Sequence, residues 1–249
     1  MLKLLPKILG IIPARYASTR FPAKPLVDIK GKTMIQRVYE QSTQAKQLSE
    51  VIVATDNDLI FKHVQSFGGK AVMTSEKHPS GTDRCHEAYQ NSGLQAEFVI
   101  NIQGDEPFIK PEQIDILASC LKPEVELATL AIRAKPDEDL YNPNTAKLIL
   151  NNNSEAIYFS RHPIPYVRNF IKSEWNNNHS FLRHVGIYAY RTDILDKITK
   201  LRPSKLELAE SLEQLRWIEN GYKIKVQITD YDSHGIDTPE DLERVLRSM

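Results

Sequence analysis

The chain has 249 residues, 41% of them hydrophobic and 26% charged, which are the proportions of a packed globular chain rather than a disordered or fibrous one. Lys and Arg together number 32 and Asp and Glu 32, so the formal net charge is zero. No overall field draws the chain to nucleic acid or anionic lipid, and any polyanion must be gripped locally. No run approaches the roughly 18 apolar residues of a membrane span. The two cysteines, Cys85 and Cys120, form no C-x-x-C pair and read as reduced and buried in a cytoplasmic protein.

Along the chain, Lys3 and Lys7 precede an apolar run at 8–12 that stops at Pro13 and Arg15. It is too short for a secretion signal and reads as a first β-strand. Met34, Ile35, Val38 and Tyr39 share one helix face, and 51–54 is strand-like. Residues 98–102 form a continuous apolar strand of the kind found inside a parallel sheet covered on both faces. The alternation predicts an α/β fold with a mostly parallel central sheet. After about residue 135, Pro136, Pro143, Pro163, Pro165 and a polar stretch at 176–179 interrupt the rhythm. An inserted subdomain is expected there, at about 136–190, within a single domain spanning 1–249. Strands are expected again at 186–190 and 223–228. Leu208, Leu212, Leu215 and Ile218 mark one face of a helix ended by Asn220-Gly221, and Glu210, Glu213, Gln214 and Trp217 fall on its other face, where solvation is the simple explanation. A last helix has Thr238 as cap, Pro239 in its first turn and Asp241 three residues after the cap.

The loop after the first strand carries Arg15, Arg20 and Lys24 among small residues and prolines. It stands at the carboxyl end of a strand, where open α/β sheets bind ligands. Two guanidinium groups, an ammonium and backbone N–H groups suit a triphosphate; a solvated basic loop is the competing reading. Neither G-x-x-x-x-G-K-[ST] nor G-x-G-x-x-G is present, which argues against a P-loop kinase and a dinucleotide dehydrogenase. Asp105 follows the 98–102 strand in Gln103-Gly-Asp-Glu-Pro, and its carboxylate suits either magnesium or a plain turn. Ser80-Gly-Thr-Asp-Arg84 reads as a helix cap, which leaves Arg84 unexplained. His184, within an apolar-flanked strand, reads as a structural histidine.

Ile11-Ile-Pro-Ala-Arg-Tyr-Ala-Ser-Thr-Arg-Phe-Pro-Ala-Lys-Pro-Leu26 closely resembles the opening of the 3-deoxy-manno-octulosonate (Kdo) cytidylyltransferases, the CMP-Kdo synthetases. Met73-Thr-Ser-Glu-Lys-His-Pro-Ser-Gly-Thr-Asp-Arg84, Asn101-Ile-Gln-Gly-Asp-Glu-Pro107, Tyr158-Phe-Ser-Arg161, Phe181-Leu-Arg-His-Val-Gly-Ile-Tyr188, Leu212-Glu-Gln-Leu-Arg216 and Gly235-Ile-Asp-Thr-Pro-Glu-Asp-Leu242 look like that family's landmarks in the family's order. The resemblance implies a Rossmann-like nucleotidyltransferase fold. It also implies transfer of CMP from CTP to the anomeric hydroxyl of Kdo, with release of pyrophosphate, for lipopolysaccharide biosynthesis. Ala14, Arg15, Ser18, Arg20 and Lys24 would then hold the triphosphate, and Ser80, Gly81, Arg84 and Gln103 would lie beside cytosine and phosphates. Asp105 and Asp237 would hold magnesium, with Arg15, Lys24, Asp105 and Asp237 as the catalytic set. Arg161, His184, Tyr188, Glu213 and Gln214 would face the acidic sugar. A homodimer formed through the inserted segment is implied as well. Ala23 departs from the glycine usual before the loop lysine, so a left-handed backbone there would be strained. A cytidylyltransferase for a sialic-type sugar and a non-catalytic nucleotide-binding domain remain alternatives.

Overall fold

The computed structural model describes residues 6–17, 21–232 and 235–248. Strand β1 (Ile8–Ala14) divides its side chains between two cores: Ile8 and Ile12 pack on one side of the sheet, Leu9 and Ile11 on the other. A strand buried on both faces belongs inside a sheet. Accordingly β1 pairs in parallel with β4 (Glu50–Thr55) on one flank and β6 (Phe98–Asn101) on the other. β5 (Ala71–Met73) continues the sheet beyond β4. On the far side β10 (Leu182–Arg191) lies antiparallel between β6 and β7 (Leu127–Arg133), and β11 (Ile224–Ile228) runs parallel to β7. The order β11-β7-β10-β6-β1-β4-β5 is thus parallel except at β10. A two-stranded ribbon, β2 (Asp28–Ile29) with β3 (Lys32–Thr33), stands apart from it.

Helices cover both faces. On one, Ile35 and Val38 of α1 (Met34–Ser42), Ile60 and Val64 of α2 (Asp58–Ser66), and Ile114 and Leu117 of α4 (Pro111–Ser119) share a core with Val53 and Ile100. On the other, Cys85 and Ala88 of α3 (Gly81–Ser92), Ile194 and Leu195 of α6 (Thr192–Ile198), and Leu215 and Trp217 of α8 (Gln214–Glu219) share one with Ile52 and Val99. Each large side chain so buried contributes about 1.5–3 kcal/mol of transfer free energy. Cys85 and Cys120 are free thiols and buried, as expected.

Between β7 and β10, β8 (Lys147–Leu150) pairs antiparallel with the start of β10, and β9 (Ala156–Ser160) pairs with β8. Leu140, Phe181 and Trp175 of α5 (Trp175–Asn178) form a small cluster of their own beside them.

The single helix expected through 208–218 is two. α7 (Lys205–Glu210) starts on a capping box in which Ser204 and Glu207 exchange bonds of 3.4 and 3.0 Å. It stops at Ser211, which is left-handed at φ 51 and ψ 47. Arg161 satisfies the freed carbonyls, its Nε donating to Glu210 O at 2.6 Å and its Nη2 to Ser211 O at 3.0 Å. The break turns α8 about, so Leu208 is 69% exposed while Gln214 and Trp217 are buried. Of the face expected to be solvated, Gln214 and Trp217 are therefore buried and Glu210 and Glu213 half-buried.

Ala23 is left-handed, at φ 54 and ψ 22, and precedes a single 3-10 turn, Lys24–Leu26. A Cβ in that region costs about 1–2 kcal/mol, and glycine there costs about 0.4–1 kcal/mol of added unfolded-state entropy. Ala23→Gly is therefore expected to raise stability by about 0.5–1 kcal/mol, a Tm increase of about 1–4 °C for a domain this size. Calorimetry measures it directly, and a loss of stability would show that the loop tolerates the alanine without strain.

Candidate active site

The next strand of the main sheet, β4, lies on one side of β1 and β6 on the other, so the direction of winding reverses between β1 and β6. Open α/β sheets hold ligands in the crevice at such a reversal, beyond the carboxyl ends of the strands. A cavity of about 330 Å³ opens there. Ala14 and Arg15 after β1, Lys24, Ser80, Gly81 and Arg84 at the start of α3, Gln103 and Asp105 after β6, and Asp237 before α9 (Pro239–Ser248) all line it. Residues far apart in sequence are thus brought to one place. Ser18 and Arg20, expected at the same loop, lie outside the described residues.

Close backbone approach makes the crevice. A Cβ on Gly104 would meet Pro13 O at 2.6 Å, so only glycine lets the turn after β6 lie against the end of β1. Ile236 N donates to Asp105 O at 2.9 Å, which ties the segment before α9 to that turn. Thr238 and Asp241 close the expected cap of α9, with Asp241 N to Thr238 Oγ1 at 3.2 Å and Thr238 N to Asp241 Oδ2 at 3.1 Å. Asp237 is thereby held facing Asp105. The ammonium of Lys24 joins them, 2.8 Å from Asp105 Oδ2 and 3.1 Å from Asp237 Oδ1.

Ser80 caps α3, its Oγ accepting from Asp83 N at 3.2 Å, and presents the positive end of a twelve-residue helix to the cavity. Arg84 is buried, with Nη1 donating to Thr74 Oγ1 at 2.7 Å and Nη2 to Asp56 Oδ2 at 2.7 Å. Asp56 Oδ1 also accepts from Tyr16 N at 3.3 Å. Arg84 therefore anchors the loop after β1 through Asp56, and its charge is largely matched by that carboxylate.

The remaining expected residues form a second polar group beside α8 and β10. A bulge in β10 between Val185 and Tyr188 brings the rings of His184 and Tyr188 to 5.2 Å, whereas a regular strand spaces i and i+4 about 13 Å apart. Thr129 Oγ1 donates to Ile187 O at 2.7 Å, so at 2.9 Å from His184 Nε2 it must accept, which places the imidazole proton on Nε2. Tyr188 OH and Gln214 Nε2 are buried without a hydrogen-bond partner. Glu213 Oε2 accepts from Thr82 Oγ1 at 2.8 Å, and burial pushes its carboxyl above the ordinary range despite this bond. Arg161, spent on the α7 carbonyls and on Pro143 O, offers its charge to structure rather than to an open cavity.

Sequence reasoning missed Asp56 and Thr82, and also His78, which lines the cavity and pairs with Glu87. Asp56 follows a strand end just as Asp105 does, and that position was the available signal. Thr82 was hidden behind its capping role.

Burial, assisted by the nearby charge of Arg183, pushes the His184 pKa from 6.5 down to about 3. The folded state thus prefers the neutral ring. Its contribution to stability is complete above the unfolded value and is lost as pH falls from there toward the folded one. Relative to His184→Gln, the parent is expected to lose up to about 1.4 kcal/mol per pH unit below about 6.5. Urea unfolding of both proteins between pH 7 and 4 measures this, and parallel profiles would contradict it.

A model of the cytidylyltransferase family matches residues 9–224. The 3-deoxy-manno-octulosonate cytidylyltransferase of Cytophaga hutchinsonii is 60% identical over 239 residues, covering 96% of each chain. That of Parabacteroides distasonis is 56% identical, covering 96% of this chain and 97% of its own. Among solved structures, CMP:2-keto-3-deoxy-manno-octonic acid synthetase complexed with CTP superposes with a TM-score of 0.90 at 44% identity, over 98% of both chains. The 4-diphosphocytidyl-2C-methyl-D-erythritol synthase of Anaerococcus prevotii, at TM-score 0.62 and 15% identity over 98% of both chains, shares the fold. With the fold, the crevice and the sequence motifs in agreement, the chain belongs to the cytidylyltransferase family, among the 3-deoxy-manno-octulosonate cytidylyltransferases.

Proposed function

We propose that this protein transfers CMP from CTP to the anomeric hydroxyl of Kdo in the cytoplasm, supplying CMP-Kdo for lipopolysaccharide biosynthesis. The anomeric oxygen bonds to the α-phosphorus, the bond from that phosphorus to the β-phosphate bridging oxygen breaks, pyrophosphate leaves, and the hydroxyl proton passes to solvent. The observation that carries this reading is the convergence of Lys24, Asp105, Asp237 and the amino end of α3 on the one crevice between β1 and β6. That combination suits a triphosphate, and the named relatives make this product.

The carboxylates fit magnesium. Two oxygens converge on one cationic nitrogen at 2.8 and 3.1 Å. Among the described residues no group of three or more His, Cys, Asp or Glu gathers to cage a metal. An ion held by two carboxylates and completed by phosphate oxygens is the arrangement magnesium favours. When bound, it would neutralise charge on the triphosphate and make the attacking hydroxyl more acidic. The chain's own groups do the rest: Arg15 and Lys24 orient the β- and γ-phosphates, and the α3 amino end accepts developing negative charge. Positioning and charge matching would supply most of the rate.

The sugar fits beside α8. Tyr188 OH, Gln214 Nε2, the Nδ1 lone pair of His184 and the Glu213 carboxylate offer donors and acceptors to a polyol, and two of these atoms have no other partner. A homodimer through the inserted segment is supported by its surface, where Tyr166 is 71% and Ile171 67% exposed beside Phe170.

Pyrophosphate release tests the whole reading. With magnesium, CTP and Kdo the protein should turn over, UTP should be used far more slowly, and EDTA should stop the reaction. Asp237→Asn should fold normally, lose at least about 10²-fold in kcat and need more magnesium. Equal rates with UTP would remove the cytosine assignment; faster turnover of a sialic-type acid would replace Kdo. An unchanged rate and magnesium requirement in Asp237→Asn would reduce Asp237 to a helix-start residue.

A further inference from the structure

A line of buried polar side chains crosses from the end of β6 to the start of α8. Asn101, Thr82 and Tyr190 are each nearly inaccessible, and Glu213 at the far end is half-buried, its carboxylate turned onto Thr82. Asn101 Nδ2 lies 3.4 Å from Tyr190 OH, Tyr190 OH 3.3 Å from Thr82 Oγ1, and Thr82 Oγ1 2.8 Å from Glu213 Oε2. Proton count fixes the direction. The single hydroxyl proton of Thr82 goes to the carboxylate, so Thr82 accepts from Tyr190, and the Tyr190 oxygen accepts from the Asn101 amide. Every bond in the line donates toward Glu213.

We propose that Thr82, seconded by Tyr190, is a positioning residue that keeps the partly buried Glu213 carboxylate ionised and aimed. Burial alone favours the neutral acid, which would give up one acceptor site to its own proton. A hydroxyl donated at 2.8 Å favours the charged form instead. The contacts at 3.3 and 3.4 Å are long for hydrogen bonds, so Thr82 carries the larger share. Tyr190 is held by its ring, edge-on to Trp217 at 5.7 Å and stacked on Tyr188 at 6.2 Å, so its hydroxyl points at Thr82 without needing a strong bond. Other groups facing Glu213 do not replace this one. Ser80 and Arg216 lower its pKa by less than Thr82 does, Asp83 raises it, and the Cys85, Tyr188 and Tyr190 groups around it remain neutral because burial pushes their pKa values up.

The consequence for the reaction rests on the reading of Glu213 as an acceptor for the sugar, and the experiment separates the two. Carboxyl 13C NMR of glutamate-labelled protein without substrates, with Glu213→Gln to assign the signal, reads the midpoint itself. Thr82→Val should raise the Glu213 midpoint by about one unit or more. Thr82→Ser should restore it, and Tyr190→Phe, which keeps the ring, should raise it less. In steady-state kinetics, Thr82→Val should raise KM for the sugar about tenfold and leave KM for CTP unchanged, again with rescue by Thr82→Ser. A midpoint unmoved in both Thr82→Val and Tyr190→Phe overturns the inference, as does a Thr82→Val defect that Ser does not rescue. If the midpoint moves but Glu213→Gln leaves sugar KM untouched, Thr82 positions Glu213 as inferred and the sugar assignment is what fails.

Discussion

The site depends on one ammonium group. Lys24 Nζ lies between Asp105 and Asp237, and without a cation there the turn after β6 and the segment before α9 would bring two carboxylates together. Like charges about 4 Å apart repel by about 4 kcal/mol in surroundings typical of a protein surface. The partial exposure of both aspartates lowers that figure toward the roughly 1 kcal/mol of a single hydrogen bond such as Ile236 N to Asp105 O. The carboxylate pair is thus a place where positive charge is required. Lys24 meets part of that requirement in the protein alone.

Everything else in the crevice serves this convergence. The winding reversal at β1 and β6 opens the space, Gly104 lets the two strand ends touch, and the capped start of α9 holds Asp237 in line. The loop bearing Lys24 is fixed by Ala23 N to Tyr16 O at 3.2 Å, and Tyr16 in turn is tied through Asp56 to the buried Arg84. Breaking such a buried pair on one side costs about 3–5 kcal/mol, so Arg84 and Asp56 set the loop's position more than they set its charge. Placing a strained alanine at 23 puts some conformational cost on the same loop.

Much of this is legible in the sequence. The runs at 8–12, 51–54 and 98–102 lie in buried strands with both faces covered, and a continuous apolar run of that length suits such a strand. Loop cations and aspartates at strand ends pointed to the crevice because that edge is where such sheets bind. What was not legible was set by tertiary contacts. Leu208 to Ile218 has the periodicity of one helix, and only the left-handed Ser211, stabilised from outside by Arg161, divides it. Reading Glu213, Gln214 and Trp217 as a wet face followed from that missing break. Arg84 showed its charge but not its partner, since Asp56 lies in another strand-end loop, and Arg161 showed its charge but not the carbonyls that use it.

Lys24 and the two aspartates form one coupled unit at the sheet edge before any ligand arrives. A double-mutant cycle on unfolding free energy, with Lys24→Met and Asp105→Asn singly and together in EDTA and without nucleotide, tests this most directly. A coupling of about 0.5–1.5 kcal/mol is expected, with Asp105→Asn costing less once Lys24 is gone. Effects that add to within about 0.3 kcal/mol would contradict it.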